Sequence, residues 1–261
     1  MQINPVSSLA MSVQKSKKKA DRNILAITDF SKSSTNAILF ASRLFEDSNL
    51  KFKLLNVFEN PNEKATLLIS VEDILTKDSE AGLEKQSTEI ATLLKSLKFK
   101  ISTHSHQGRL KKAISTIAQT ENVDLLVAGI SSDKYPCKNF NNTPLLFMGQ
   151  SKFPILIVPE KCSDKAVNSV LILNLDAHLP KNILEKGFES IINHDHIAKY
   201  TISLNEKKID AGTLSHLNSE LKEHDVNLII IIPTAGDKID RAMLDYQIKE
   251  LCPSIASLLN C

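Results

Sequence analysis

With 261 residues, 42% of them apolar and 24% charged, the chain is long enough for two globular domains with sizeable cores. A formal net charge of +2 excludes a global attraction to polyanions, and the lack of Trp, with aromatics at only 5%, argues against a base-stacking surface for nucleic acid. The four cysteines (Cys137, Cys162, Cys252, Cys261) are widely spaced, which fits a reducing, cytoplasmic compartment, and no apolar run approaches the ~20 residues of a membrane span.

In chain order, residues 1–20 read as a disordered tail whose cluster of Lys15, Lys17, Lys18 and Lys19 is a solvated charge run rather than a lipid or nucleic-acid site. Residues 23–29, NILAITD, form a short apolar run of the kind that a parallel strand covered on both faces requires. Ser31 to Ser34 supply capping chemistry for a helix whose apolar positions are Ala37, Phe40, Ala41, Leu44 and Phe45. A second strand is expected over 51–58. A long helix follows within 63–97, with Leu83, Ile90, Leu93, Leu94 and Leu97 on its buried stripe. Residues 98–105 alternate like a strand, and 108–120 form a helix burying Leu110, Ala113, Ile114, Ile117 and Ala118. A buried strand over 123–129 ends at a glycine, a polar loop follows, and 153–159 (FPILIVP) is a fifth strand.

Alternating strands and helices of this length imply right-handed crossovers and a parallel, doubly wound sheet. After a polar linker at 160–167 the pattern restarts with LILNLD, again a strand ending in an aspartate, Asp176. Helices near 180–193, 210–224 and 238–250 and strands at 197–203 and 227–233 follow, leading into CPSIASLLNC. This is an internal repeat whose second copy has lost one helix–strand unit. The expected domains are therefore 21–160 and a shortened 168–261.

The residues ILAITDFSKSSTNAI, LLNVFE, LLVAG and FPILIVP resemble the universal stress protein family over about 21–160. The likeness continues more weakly over 168–261 through LILNLDAH, NLIIIIPT and CPSIA. The resemblance implies two tandem Rossmann-like domains of the adenine nucleotide alpha hydrolase type, each with a mainly parallel sheet, five-stranded in the first and shortened in the second. It also implies pairing of the last strands of two copies, either within this chain as a pseudo-dimer or between chains as a homodimer.

ATP-binding relatives carry G-x2-G-x9-G-[S/T] after the fourth strand, where bare backbone approaches the phosphates. Here the spacing survives as Gly129-x2-Ser132-x9-Asn142-Thr143, with two of the three glycines replaced. Asp29 matches the acidic residue ending the first strand, and Val57 the residue flanking adenine. The resemblance thus implies a residual adenine-nucleotide site formed by Thr28, Asp29, Val57, Gly129, Ser132, Asn142 and Thr143. ATP or AMP is then a candidate ligand rather than a required cofactor. An equally open reading makes Asp29 a helix cap and Gly129 a turn glycine.

His104-x-His106 puts two imidazoles on one strand face, but no local Cys or carboxylate completes that set or the His194-Asp195-His196 set, so no metal site is expected. No nucleophile elbow, P-loop or dinucleotide motif is present. The expectation is a cytoplasmic, non-enzymatic stress-response or signalling protein acting through an unidentified protein partner. The alternatives are a nucleotide-hydrolysing enzyme of the same α/β class, or a small-molecule binder reusing the pocket.

Overall fold

The computed structural model describes residues 21–59, 71–95, 97–130, 154–162, 166–174, 197–203, 211–232 and 256–259. Two runs of elements are present: β1 (Asp21–Ile27), α1 (Lys32–Leu44), β2 (Asn49–Phe58), α2 (Val71–Leu93), β3 (Phe99–Gln107), α3 (Leu110–Thr120), β4 (Leu125–Ile130) and β5 (Ile155–Pro159); then β6 (Ser169–Asn174), β7 (Ala198–Ser203), α4 (Ala211–Glu223), β8 (Leu228–Ile232) and β9 (Ala256–Leu259). The helices expected at 180–193 and 238–250 and the basic tail lie outside the described residues.

Strands β3-β2-β1-β4-β5 are parallel throughout, the five-stranded α/β sheet that the alternation predicts. The later strands run β9-β8-β6-β7, also parallel. The order β7-β6-β8-β9 repeats β2-β1-β4-β5 with no described strand in the place of β3. The two sets join edge to edge, because β5 and β9 pair antiparallel with Ile155 opposite Leu259 and Ile157 opposite Ser257, giving one nine-stranded sheet.

Side-chain alternation along the strands separates two cores. On one face Ile24, Ala26, Phe52, Leu54, Leu125, Val127, Leu156 and Val158 pack with α1 and α2. On the other, Leu25, Ile27, Leu55, Leu126, Ile155 and Ile157 pack with α3 and α4 through Ala113, Ile114, Ile117, Leu217 and Leu221. Burial of both faces explains why these strands read as continuous apolar runs.

The stripe of α2 differs from expectation. Leu83, Ile90 and Leu94 are buried, but Leu93 is 53% exposed. The buried positions run Ser79, Leu83, Gln86, Ile90, a clean helical spacing that gives core places to two polar residues and turns Leu93 outward.

Candidate functional site

In the first half the strand order reverses between β1 and β4, which places the switch-point crevice beyond their carboxyl ends. Ile27 pairs with Ala128, so Thr28 and Gly129 come next on the two neighbouring strands. Leu55 lies opposite Ile27 on the other side, bringing Val57 to the same end of β2. The structure thereby brings together Thr28, Asp29, Val57 and Gly129. Ser132, Asn142 and Thr143 lie outside the described residues, as do Cys137, Asp176 and His194 to His196.

Thr28 is fully buried and faces inward. Its Oγ1 donates to Gln86 Oε1 at 2.6 Å and accepts the Phe30 N–H at 2.9 Å. Gln86 Nε2 in turn donates to Ser34 Oγ and Thr35 Oγ1 at 3.2 and 3.0 Å, so one α2 side chain ties the end of β1 to the first turn of α1. A second arm reaches the edge strand: Asn56 Nδ2 donates to the Thr28 carbonyl at 2.8 Å, Ser79 Oγ donates to Asn56 Oδ1 at 2.8 Å, and Ser105 Oγ donates to Ser79 Oγ at 2.8 Å. Buried polar groups are costly unless paired, and this network pairs them across five elements.

Asp29, next in sequence, is exposed. Its Oδ1 accepts the Ser31 N–H at 3.0 Å, a local side-chain turn, and Ser31 caps α1 by accepting the Ser34 N–H at 3.3 Å. The Asp29 Oδ2 has no partner among the described residues. Asp29 therefore helps form the turn into α1 while keeping one carboxylate oxygen toward solvent.

Gly129 is glycine for a packing reason visible in the structure. A Cβ there would stand 2.1 Å from the Ser33 carbonyl oxygen and 2.7 Å from the Ser34 nitrogen, inside the first turn of α1. Val57 is partly buried against the α3 face, offering an apolar wall at the end of β2.

His104 and His106 share the α3 face of β3, opposite Leu55 and Val57. His104 Nε2 lies 3.6 Å from Glu121 Oε1, and Glu121 also holds Lys53. Burial, and then the Lys53 charge, lower the His104 pKa from its ordinary 6.5. Among the described residues no group of three His, Cys, Asp or Glu could hold a metal ion. Nor is any helix among them long and apolar enough to cross a membrane.

Sequence reasoning missed Gln86, Ser79, Gly82, Asn56 and Phe30, which set the shape of the loop. The available signal was polar residues at buried-stripe spacing in α2: Ser79 and Gln86 stand where the helical period calls for apolar side chains.

Residues 21–140 match the model of the Universal stress protein family. Among solved structures, a universal stress protein from Archaeoglobus fulgidus is 14% identical, with 91% of this chain and 95% of that one covered at a TM-score of 0.55. A Pseudomonas aeruginosa protein provisionally named a universal stress protein is 10% identical, with 92% of each chain covered and a TM-score of 0.51. A universal stress protein in complex with cAMP is 19% identical over 52% of this chain and 96% of its own, with a TM-score of 0.38. The first two likenesses cover both sets of strands, and at such identities they establish the fold. The comparison with curated proteins finds no match.

Proposed function

We propose that this chain, which carries a universal stress protein domain at residues 21–140, is a non-enzymatic stress-response or signalling protein that acts in the cytoplasm by binding a partner protein, with an adenine-nucleotide site in its first half. The observation that carries this reading is the Asp29 loop. A carboxylate is held on a preorganised turn at the switch-point crevice, with one oxygen toward solvent and the apolar Val57 at the end of the adjacent strand. An outward carboxylate oxygen beside an apolar wall suits the exocyclic amine and flat face of a base. In this reading Ser132, Asn142 and Thr143 approach the phosphates.

Two hydroxyls that border the loop are already engaged. Thr28 Oγ1 is buried between Gln86 and the Phe30 N–H, and Ser34 Oγ donates to the Ser31 carbonyl at 2.8 Å, so neither is poised as a nucleophile. Gly129 adds little to the phosphate reading, because the packing of α1 already demands a glycine there. The β6–β9 set we read as a shortened second copy whose last strand covers the apolar edge of β5, making the chain a pseudo-dimer.

The test is calorimetric titration of the full chain with ATP, ADP, AMP and cAMP, with and without Mg²⁺. Micromolar binding that Asp29→Ala weakens by about tenfold or more, roughly 1.4 kcal/mol, supports the site, and Asp29→Asn controls for the turn by keeping an acceptor. Absence of heat with all four sinks the nucleotide part of the reading. Steady release of phosphate from ATP favours the hydrolase alternative instead.

A further inference from the structure

Phe30 adopts a φ of 64°, a costly backbone state for a bulky residue, directly beside Asp29. Such a conformation persists where its surroundings over-determine it, and two contacts do so. The Phe30 N–H donates to Thr28 Oγ1. The ring is 40% exposed, and its far edge (Cε1, Cζ and Cε2) lies toward Gly82 in the middle of α2, where an added Cβ would meet those atoms at 3.0, 2.7 and 2.7 Å and the ring would have to swing away. Glycine in a helix interior weakens the helix relative to alanine, and here its bare Cα is the notch that admits the ring.

Gly82 belongs to a run of α2 that faces the same loop on three successive turns. Ser79 reaches Asn56 and through it the Thr28 carbonyl. Gly82 seats Phe30, and Gln86 takes the Thr28 hydroxyl. Thr28 and Phe30 are the two residues that flank Asp29.

We propose that α2 is a positioning element for the Asp29 carboxylate, with Gln86 and Gly82 as positioning residues: Gln86 anchors Thr28 on one side of Asp29, and Gly82 seats Phe30 on the other. A shift of α2 along its axis then moves both anchors together and re-aims the carboxylate. The ligand served rests on the adenine-nucleotide reading above, whereas the clamp is a property of the unliganded loop.

The two are separated by measuring both on the same full-length proteins: wild type, Gly82→Ala, Phe30→Gly and the double variant. With Phe30 present, Gly82→Ala lowers the urea midpoint and speeds amide exchange at Phe30 and Ser31 about tenfold, while exchange at Leu126 and Val127 in β4 changes little. With Phe30→Gly in place, Gly82→Ala raises the midpoint, because alanine then only strengthens the helix. A midpoint that Gly82→Ala raises in both backgrounds, or loop exchange that it leaves unchanged, overturns the clamp. Titration with ATP then reads the consequence: affinity about tenfold weaker in Gly82→Ala than in wild type. ATP binding that stays unchanged while loop exchange quickens overturns the positioning role. No heat from wild type removes the nucleotide reading, and the exchange and midpoint data still decide whether the clamp stands.

Discussion

Replacing Gly129 by alanine adds one methyl group where β4 closely approaches the first turn of α1. The new Cβ would lie 2.1 Å from the Ser33 carbonyl oxygen, 2.3 Å from its carbon and 2.7 Å from the Ser34 nitrogen. Non-bonded contacts settle near ~3.5 Å, so the first turn of α1 must retreat by more than ~1 Å. Neither side yields easily. β4 is held in register between β1 and β5, with Gly129 paired to Val158. The first turn of α1 is tied to Gln86 through Ser34 and Thr35. The obstacle is backbone rather than a side chain that can rotate away, which puts the cost at the upper end of overpacking, about 3 kcal/mol. Urea unfolding should show a lower midpoint with an unchanged slope. Thermal unfolding should shift down by roughly 6–12 °C, at 2–4 °C per kcal/mol for a chain of this size. A loss below about 1 kcal/mol would show that α1 is not seated on Gly129 and would return that glycine to a ligand-binding explanation.

Thr28→Val keeps the shape of the side chain but leaves the Phe30 N–H and Gln86 Oε1 without their partner, which should cost about 1–3 kcal/mol in urea unfolding, and a neutral result would count against the network. His104 has its pKa lowered by burial and by Lys53, so the unfolded chain takes up its proton first; the stability it contributes is present above about pH 6.5 and is lost as pH falls through the lower folded value. His104→Gln should therefore flatten the drop in melting temperature between about pH 7 and pH 5, and identical slopes in both proteins would refute this. All five residues of β5 are buried, and β9 covers its outer edge, so a fragment of residues 21–162 should self-associate through β5 and show a higher mass per chain than the full-length protein in sedimentation equilibrium. A monomeric, well-behaved fragment would sink that expectation.

Much of the fold was legible because a strand buried on both faces leaves an unmistakable run. NILAITD, LLVAG and FPILIVP became β1, β4 and β5 because covering helices require apolar side chains on alternate and intervening positions alike. In the later part of the chain the described strands run β7-β6-β8-β9, the same order as β2-β1-β4-β5. The stripe of α2 was misread at Leu93 because leucines were counted as the buried face. The helix rotates so that Ser79 and Gln86 point inward, since the end of β1 and the first turn of α1 hold hydroxyls and carbonyls that need partners.

The site divides along the same line between local and long-range causes. Asp29, Ser31 and Ser34 form a turn within six residues, and capping chemistry makes that visible in the sequence. What aims Asp29 is remote: Gln86 stands 58 residues from Thr28, and Gly82 stands further from Phe30 than any capping rule can reach. A glycine inside a helix and a glutamine on an apolar stripe each look like minor losses of helix or core stability when read alone. Together they face the two neighbours of one exposed carboxylate, and only the crossover that lays α2 over β2 and β3 brings them there. The polar exceptions on that stripe therefore point to the loop at the switch point more directly than the glycines of the loop motif do, because Gly129 is already accounted for by the helix packed against it.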